Sequence, residues 1–116
     1  MTTKDIGNFA EAKAVDHLIS KGYAIVTTQF HSKQGEIDII AQNDEFIVFV
    51  EVKYRKNPTF GSGIENVTRT KIKRILKTAN YYIYKNQLRD VNFRFDIIQI
   101  HGSDYEITHL ENAFGA

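Results

Sequence analysis

Asp38, Glu51 and Lys53 are spaced as Asp-x(12)-Glu-x-Lys, and a third acid, Glu11, comes from a separate segment. Gly35 to Gln42 and Phe46 to Arg55 read as two strands joined by a turn at Asp44-Glu45. Alternation along a strand puts Glu36, Asp38, Ile40 and Gln42 on one face, with Ile37, Ile39 and Ala41 on the other. In the second strand Phe49, Glu51 and Lys53 share a face opposite Val48, Val50 and Val52. A two-residue turn then sets Asp38 across from Glu51, with Lys53 one step along. Facing carboxylates in a half-buried sheet repel and lose hydration. A divalent cation between them would remove the conflict, and magnesium or manganese takes such oxygen ligands. The alternative is a cross-strand ion-pair network on a solvated face.

Glu-x-Lys alone is a weak signal, since Glu11-Ala12-Lys13 matches it too. Residues two apart diverge on a helix and share a face on a strand, so only Glu51-Val52-Lys53 can form one site.

Asp5 to Lys21 must position Glu11. It reads as a helix with an apolar arc of Ala10, Ala14, Val15, Leu18 and Ile19, ended by Gly22 as a left-handed cap. Lys13, Asp16 and His17 take the other side, but Glu11 falls inside the arc. It either meets a partner or metal there or reaches past the core edge to water. Tyr23 to His31 is a first strand, and a loop runs from Lys56 to Gly63. A second helix opens at Ile64 or Asn66 and reaches about Leu88, burying Ile72, Ile75, Leu76, Ala79, Tyr82 and Ile83. Asn92 to Ile100 is a fourth strand, where Arg94 and Asp96 can pair, and Tyr105 to Leu110 adds a short last one. The expectation is a single α/β domain over residues 1–116, with the second helix crossing over to a parallel strand.

Composition bounds the rest. Hydrophobic residues at 42% and charged residues at 25% exclude a disordered or fibrous chain. Without cysteine there is no disulfide frame or thiolate metal site. The start lacks the order of a signal peptide and the apolar run Phe46 to Val50 cannot span a bilayer, so the expectation is a cytoplasmic protein with no membrane partner. Net charge is +1, yet ten of the 15 basic residues lie between Lys53 and Arg89, where Glu65 is the only acid. Arg55, Lys56, Lys71, Lys73, Arg74 and Lys77 from this stretch are candidates for gripping a nucleic acid.

The pattern resembles the PD-(D/E)xK nuclease superfamily, whose restriction-endonuclease-like core runs helix, three-strand antiparallel meander, helix, parallel strand. Gly35 to Ile40, Phe49 to Arg55, Phe60-Gly61, Lys71, Arg94-Phe95-Asp96 and Asn112-Ala113-Phe114 are similar, more closely, to the small bacterial YraN-like family of predicted endonucleases. That family is thought to be distantly related to archaeal Holliday junction resolvases. The resemblance implies a magnesium-dependent (or manganese-dependent) endonuclease acting on DNA, structure-specific cutting being one form. It implies Asp38, Glu51 and the Val52 carbonyl as metal ligands, Glu11 as the helix acid behind the metal, and Lys53 orienting or deprotonating the attacking water. A homodimer is expected by analogy alone. Ala10 stands where the family usually has Gly, and Gln29 and His31 stand where it has Asn and Arg. Two other functions stay open: a non-catalytic nucleic-acid or protein-binding module on the same fold, and an RNA-directed phosphodiesterase.

Overall fold

The computed structural model describes residues 2–56 and 68–115. The sequence-expected loop from Lys56 to Gly63 lies almost wholly outside the described residues, as do Ile64 and Asn66. The second helix does not reach back to them: Thr68 is extended and caps it, so that it starts at Arg69 and ends at Lys85, short of the expected Leu88.

Helix α1 spans Thr3–Ser20. Thr2 caps it, its hydroxyl accepting the Asp5 N–H while the Asp5 carboxylate accepts the Thr2 N–H. At its end Gly22 takes φ +93°, and the Tyr23 N–H donates to the Leu18 carbonyl, the chain reversal that a residue without Cβ makes cheaply. Strands β1 (Ala24–Ser32), β2 (Gly35–Gln42) and β3 (Phe46–Arg55) follow as an antiparallel meander. Helix α2 (Arg69–Lys85), capped by Thr68, leads to β4 (Asn92–His101), which lies parallel to β3. Strand β5 (Glu106–Phe114) closes the sheet, antiparallel to β4 and longer than the expected Tyr105 to Leu110. Strand order in the sheet is β1-β2-β3-β4-β5.

The helices cover opposite faces. Ala10, Ala14 and Leu18 of α1 pack on Ile39, Ala41, Val48, Val50, Ile98 and Ile100. Ile75, Ala79 and Tyr82 of α2 pack on Ile37, Ile40, Ile47, Phe49 and Phe95. Burial of this kind yields about 25 cal/mol for each Å² of apolar surface, so the alternation of β3 fixes both helices to it. Two residues of α1 differ from the sequence expectation. Ile19 is exposed, because α1 lays only a narrow stripe on the sheet. His17, expected outward, approaches β5 and meets His109, its Nε2 lying 3.1 Å from the His109 Nδ1. No described helix is long and apolar enough to cross a membrane.

Asp96, fully buried, holds the β4–β5 side together. Its carboxylate accepts two hydrogen bonds from Arg94, at 2.9 and 2.8 Å, and one from the Asn112 N–H at 2.9 Å. The His109 Nε2 lies 2.7 Å from it. Arg94 also reaches the Tyr23 hydroxyl and lies over the Phe46 ring. The expected pairing of Arg94 with Asp96 is thus present, within a larger network. These donors outweigh burial and hold the Asp96 carboxyl below its usual value.

Candidate functional site

The turn sets the register. The Asn43 N–H donates to the Phe46 carbonyl and the Asn43 side chain accepts the Glu45 and Phe46 N–H groups, so Asp44-Glu45 form the two-residue connection. β2 and β3 then pair from Gln42↔Ile47 to Ile39↔Val50. The pairing ends there, one step short of Asp38 and Glu51, which the spacing predicts to lie opposite each other.

The face of Asp38 differs from the expectation. Ile37 packs on the α2 side and Ile39 on the α1 side, although they are two apart. Alternation is therefore broken between them, at Asp38. The neighbouring strand breaks with it: Thr28↔Ile39 and Phe30↔Ile37 pair normally, and Gln29 between them turns to φ +52°. Beyond Ile39↔Val50 the Asp38 carboxylate itself accepts the Val52 N–H, at 2.9 Å. The result is a fork between β2 and β3. Asp38 opens into a pocket of ≈ 280 Å³ lined by Lys4, Gly7, Asn8, Glu11, Gln29 and Val52, together with Ala10 and Tyr54. Glu51 approaches from the α2 side, where its carboxylate is 5% exposed.

Glu11 lies on the same pocket as Asp38, and its carboxylate accepts a hydrogen bond from the Gln29 side chain. The anomaly on the apolar arc is thereby explained: one turn of α1 faces an opening rather than the packed sheet. Gln29 is a residue that sequence reasoning treated only as a departure, and no local signal marks its left-handed backbone.

On the other side two ammonium groups converge on Glu51. The Lys71 Nζ lies 2.7 Å from the Glu51 Oε1 and the Lys53 Nζ 3.8 Å from the same oxygen. Lys71 comes from the first turn of α2, where the Thr68 hydroxyl accepts its N–H. Arg69, Lys73, Arg74, Lys77 and Lys85 do form an exposed outer face. Lys71 stands apart from them and turns inward. Arg55 is half-buried and Lys56 exposed at the end of β3.

The charges act on one another. Burial, then the nearby Glu51, pushes the Asp38 carboxyl up to about 7, against the pull of the Val52 N–H and Lys71. Lys53 is pushed down from the ordinary lysine value, first by burial and then by the Lys71 ammonium beside it. Lys71 is raised, because its bond to Glu51 outweighs its burial.

This donor set suits a hard divalent cation. Asp38 and Glu51 offer oxygens only, and a further positive charge would favour the ionised form of Asp38. Among the described residues no three Asp, Glu or His side chains stand close enough to hold an ion by themselves. Main-chain oxygen or water would complete the shell, as is usual for magnesium.

A family model described as Uncharacterised protein family UPF0102 matches residues 10–100. A UPF0102 protein of Sulfurihydrogenibium sp. is 51% identical over 108 residues, covering 93% of this chain and 92% of that protein. One of Clostridium novyi is 46% identical, covering 96% of each, and one of Legionella pneumophila is 40% identical, covering 98% of each.

Proposed function

The chain belongs to the uncharacterised protein family UPF0102, and within it we propose a metal-dependent phosphodiesterase that cuts nucleic acid internally, DNA before RNA. The observation that carries this reading is the meeting of two carboxylates and two ammonium groups at the fork between β2 and β3. Asp38 and Glu51 would hold a magnesium or manganese ion, with the Val52 carbonyl as a further oxygen and Glu11 behind Asp38. Such an ion would lower the pKa of its water and polarise a phosphate oxygen. Asp38 is kept in place by the Val52 N–H, so one ligand is oriented before any ion arrives. Lys53 stands beside the site and can orient the attacking water or offset charge gathering on the phosphate. Lys73, Arg74 and Lys77 lie exposed on α2, where they can meet backbone phosphates. The order of elements, α1, three antiparallel strands, α2 and a parallel strand, is the order expected of a restriction-endonuclease-like core, which supports the same reading.

One observation favours a second reading. Glu51 is already neutralised by Lys71 at 2.7 Å, which a non-catalytic module binding nucleic acid or protein would also need. The test is cleavage of plasmid, single-stranded, four-way-junction DNA and RNA with magnesium, manganese or chelator. Metal-dependent cutting that Glu51→Ala and Lys53→Ala abolish is expected. Binding without cutting under either metal would leave the second reading.

A further inference from the structure

Lys71 joins two regions that the phosphodiesterase reading uses separately. Its ammonium lies 2.7 Å from a Glu51 oxygen that is almost fully buried, while its own side chain is 41% exposed. The exposed part lines a cleft of ≈ 720 Å³ between the β1–β2 turn and the start of α2. Thr68, Thr70 and Arg74 line it from the start of α2, and His31, Lys33 and Glu36 line it from the β1–β2 turn. Lys71 therefore stands at a doorway, with a carboxylate behind it and a basic, hydroxyl-lined cleft in front.

Glu51 has two oxygens, but an ion on either one would stand within a few ångströms of the Lys71 ammonium held on Oε1. A magnesium ion needs a carboxylate oxygen at about 2.0–2.1 Å, and an ammonium in hydrogen-bond contact with that oxygen would be pressed against the ion. Like charges a few ångströms apart repel by several kcal/mol even with an effective dielectric of ~20. That repulsion favours departure of the lysine once an ion is bound. A lysine can leave, because its ammonium is carried on a flexible four-carbon stem.

We propose that Lys71 is the resident counter-ion of Glu51, which a divalent cation displaces and which then turns into the adjoining cleft to bind a substrate phosphate. The inference rests on the divalent-cation reading of Asp38 and Glu51. It gives one lysine two successive partners. Without metal it keeps a buried carboxylate compensated; with metal and substrate it faces a phosphate. Lys53 does not share this role, since at 3.8 Å it makes no hydrogen bond to Glu51. The exchange also explains why Lys71 is absent from the exposed face formed by Arg69, Lys73, Arg74 and Lys77.

The experiment is a calorimetric Mn²⁺ titration of wild type, Lys71→Met and Lys71→Arg, with melting curves in chelator. Removing the competing cation is expected to tighten Mn²⁺ binding by about tenfold in Lys71→Met, equivalent to about 1.4 kcal/mol. The same variant should melt lower than wild type in chelator, its Glu51 being uncompensated, and recover that loss when Mn²⁺ is added. Lys71→Arg keeps the charge and should stay near wild type in both measurements. Equal or weaker Mn²⁺ binding by Lys71→Met overturns the exchange while leaving the metal site standing. No Mn²⁺ binding by wild type or Lys71→Met overturns both. If Lys71→Met does not fold, the side-chain ¹⁵N signal of Lys71 in the wild type decides. Magnesium must move it, and a signal unmoved under saturating magnesium refutes the exchange.

Discussion

Asp38→Asn is expected to stabilise the protein in chelator above neutral pH while removing the divalent-cation binding proposed for Asp38. Asn keeps the shape and still offers an oxygen to the Val52 N–H, so the bond at 2.9 Å survives. What it removes is the charge. In the unfolded chain Asp38 ionises near 3.8, whereas in the fold burial and Glu51 hold its proton up to about 7. Between those values the folded state binds the extra proton, so stability falls as pH rises through this window and stays low above it. At about 1.4 kcal/mol per tenfold in proton affinity, the full change sets a ceiling of about 4 kcal/mol. The pull of Lys71 is already contained in that value, and water reaching the pocket brings the expected cost to about 2 kcal/mol at pH 8. The assay is chemical denaturation in chelator at pH 5 and pH 8. Wild type should lose about 2 kcal/mol more than Asp38→Asn between the two, and magnesium should restore that loss only in wild type. His17, whose pKa is lowered chiefly by burial, titrates in both proteins and cancels in the comparison. Identical pH profiles for the two proteins would refute the claim that Asp38 is held in an unfavourable charged state.

Asp96→Ala should cost about 3–5 kcal/mol in denaturant unfolding, because it strands the buried Arg94 guanidinium and frees the Asn112 amide. Retention of full stability would mean that Arg94 finds water. Gly35→Ala places a methyl group 3.2 Å from the Arg74 Cβ and 3.3 Å from the Thr78 Oγ1, so the β1–β2 turn must move away from α2. A loss of about 1–3 kcal/mol by thermal unfolding is expected. If α2 grips a duplex, Lys73→Ala with Lys77→Ala should reduce the salt slope of DNA binding by about 2 and leave Mn²⁺ affinity unchanged. An unaltered slope would place the DNA elsewhere.

Much of this protein is legible in its sequence because its elements are amphipathic. Phe49, Glu51 and Lys53 against Val48, Val50 and Val52 identify both faces of β3. Gly22 marks the end of α1, and Asn43-Asp44-Glu45 fixes the register in which β2 and β3 pair as far as Ile39 and Val50. These are short-range facts, decided by side-chain period and turn chemistry. The fork is not of this kind. Alternation puts Asp38 with Ile40, and only the assembled sheet shows that Gln29 and Asp38 break the pleat together, opening a pocket toward Glu11. Lys71 is marked in the sequence by the family resemblance alone, with nothing local to show its partner, and it meets Glu51 only when α2 packs on the sheet. His17 and His109, 92 residues apart, join the Asp96 network for the same reason. The sequence by itself determines which acids and lysines are available and which strands carry them. The tertiary structure decides which charges meet, because that depends on how two helices and a broken pleat bring distant segments to one opening.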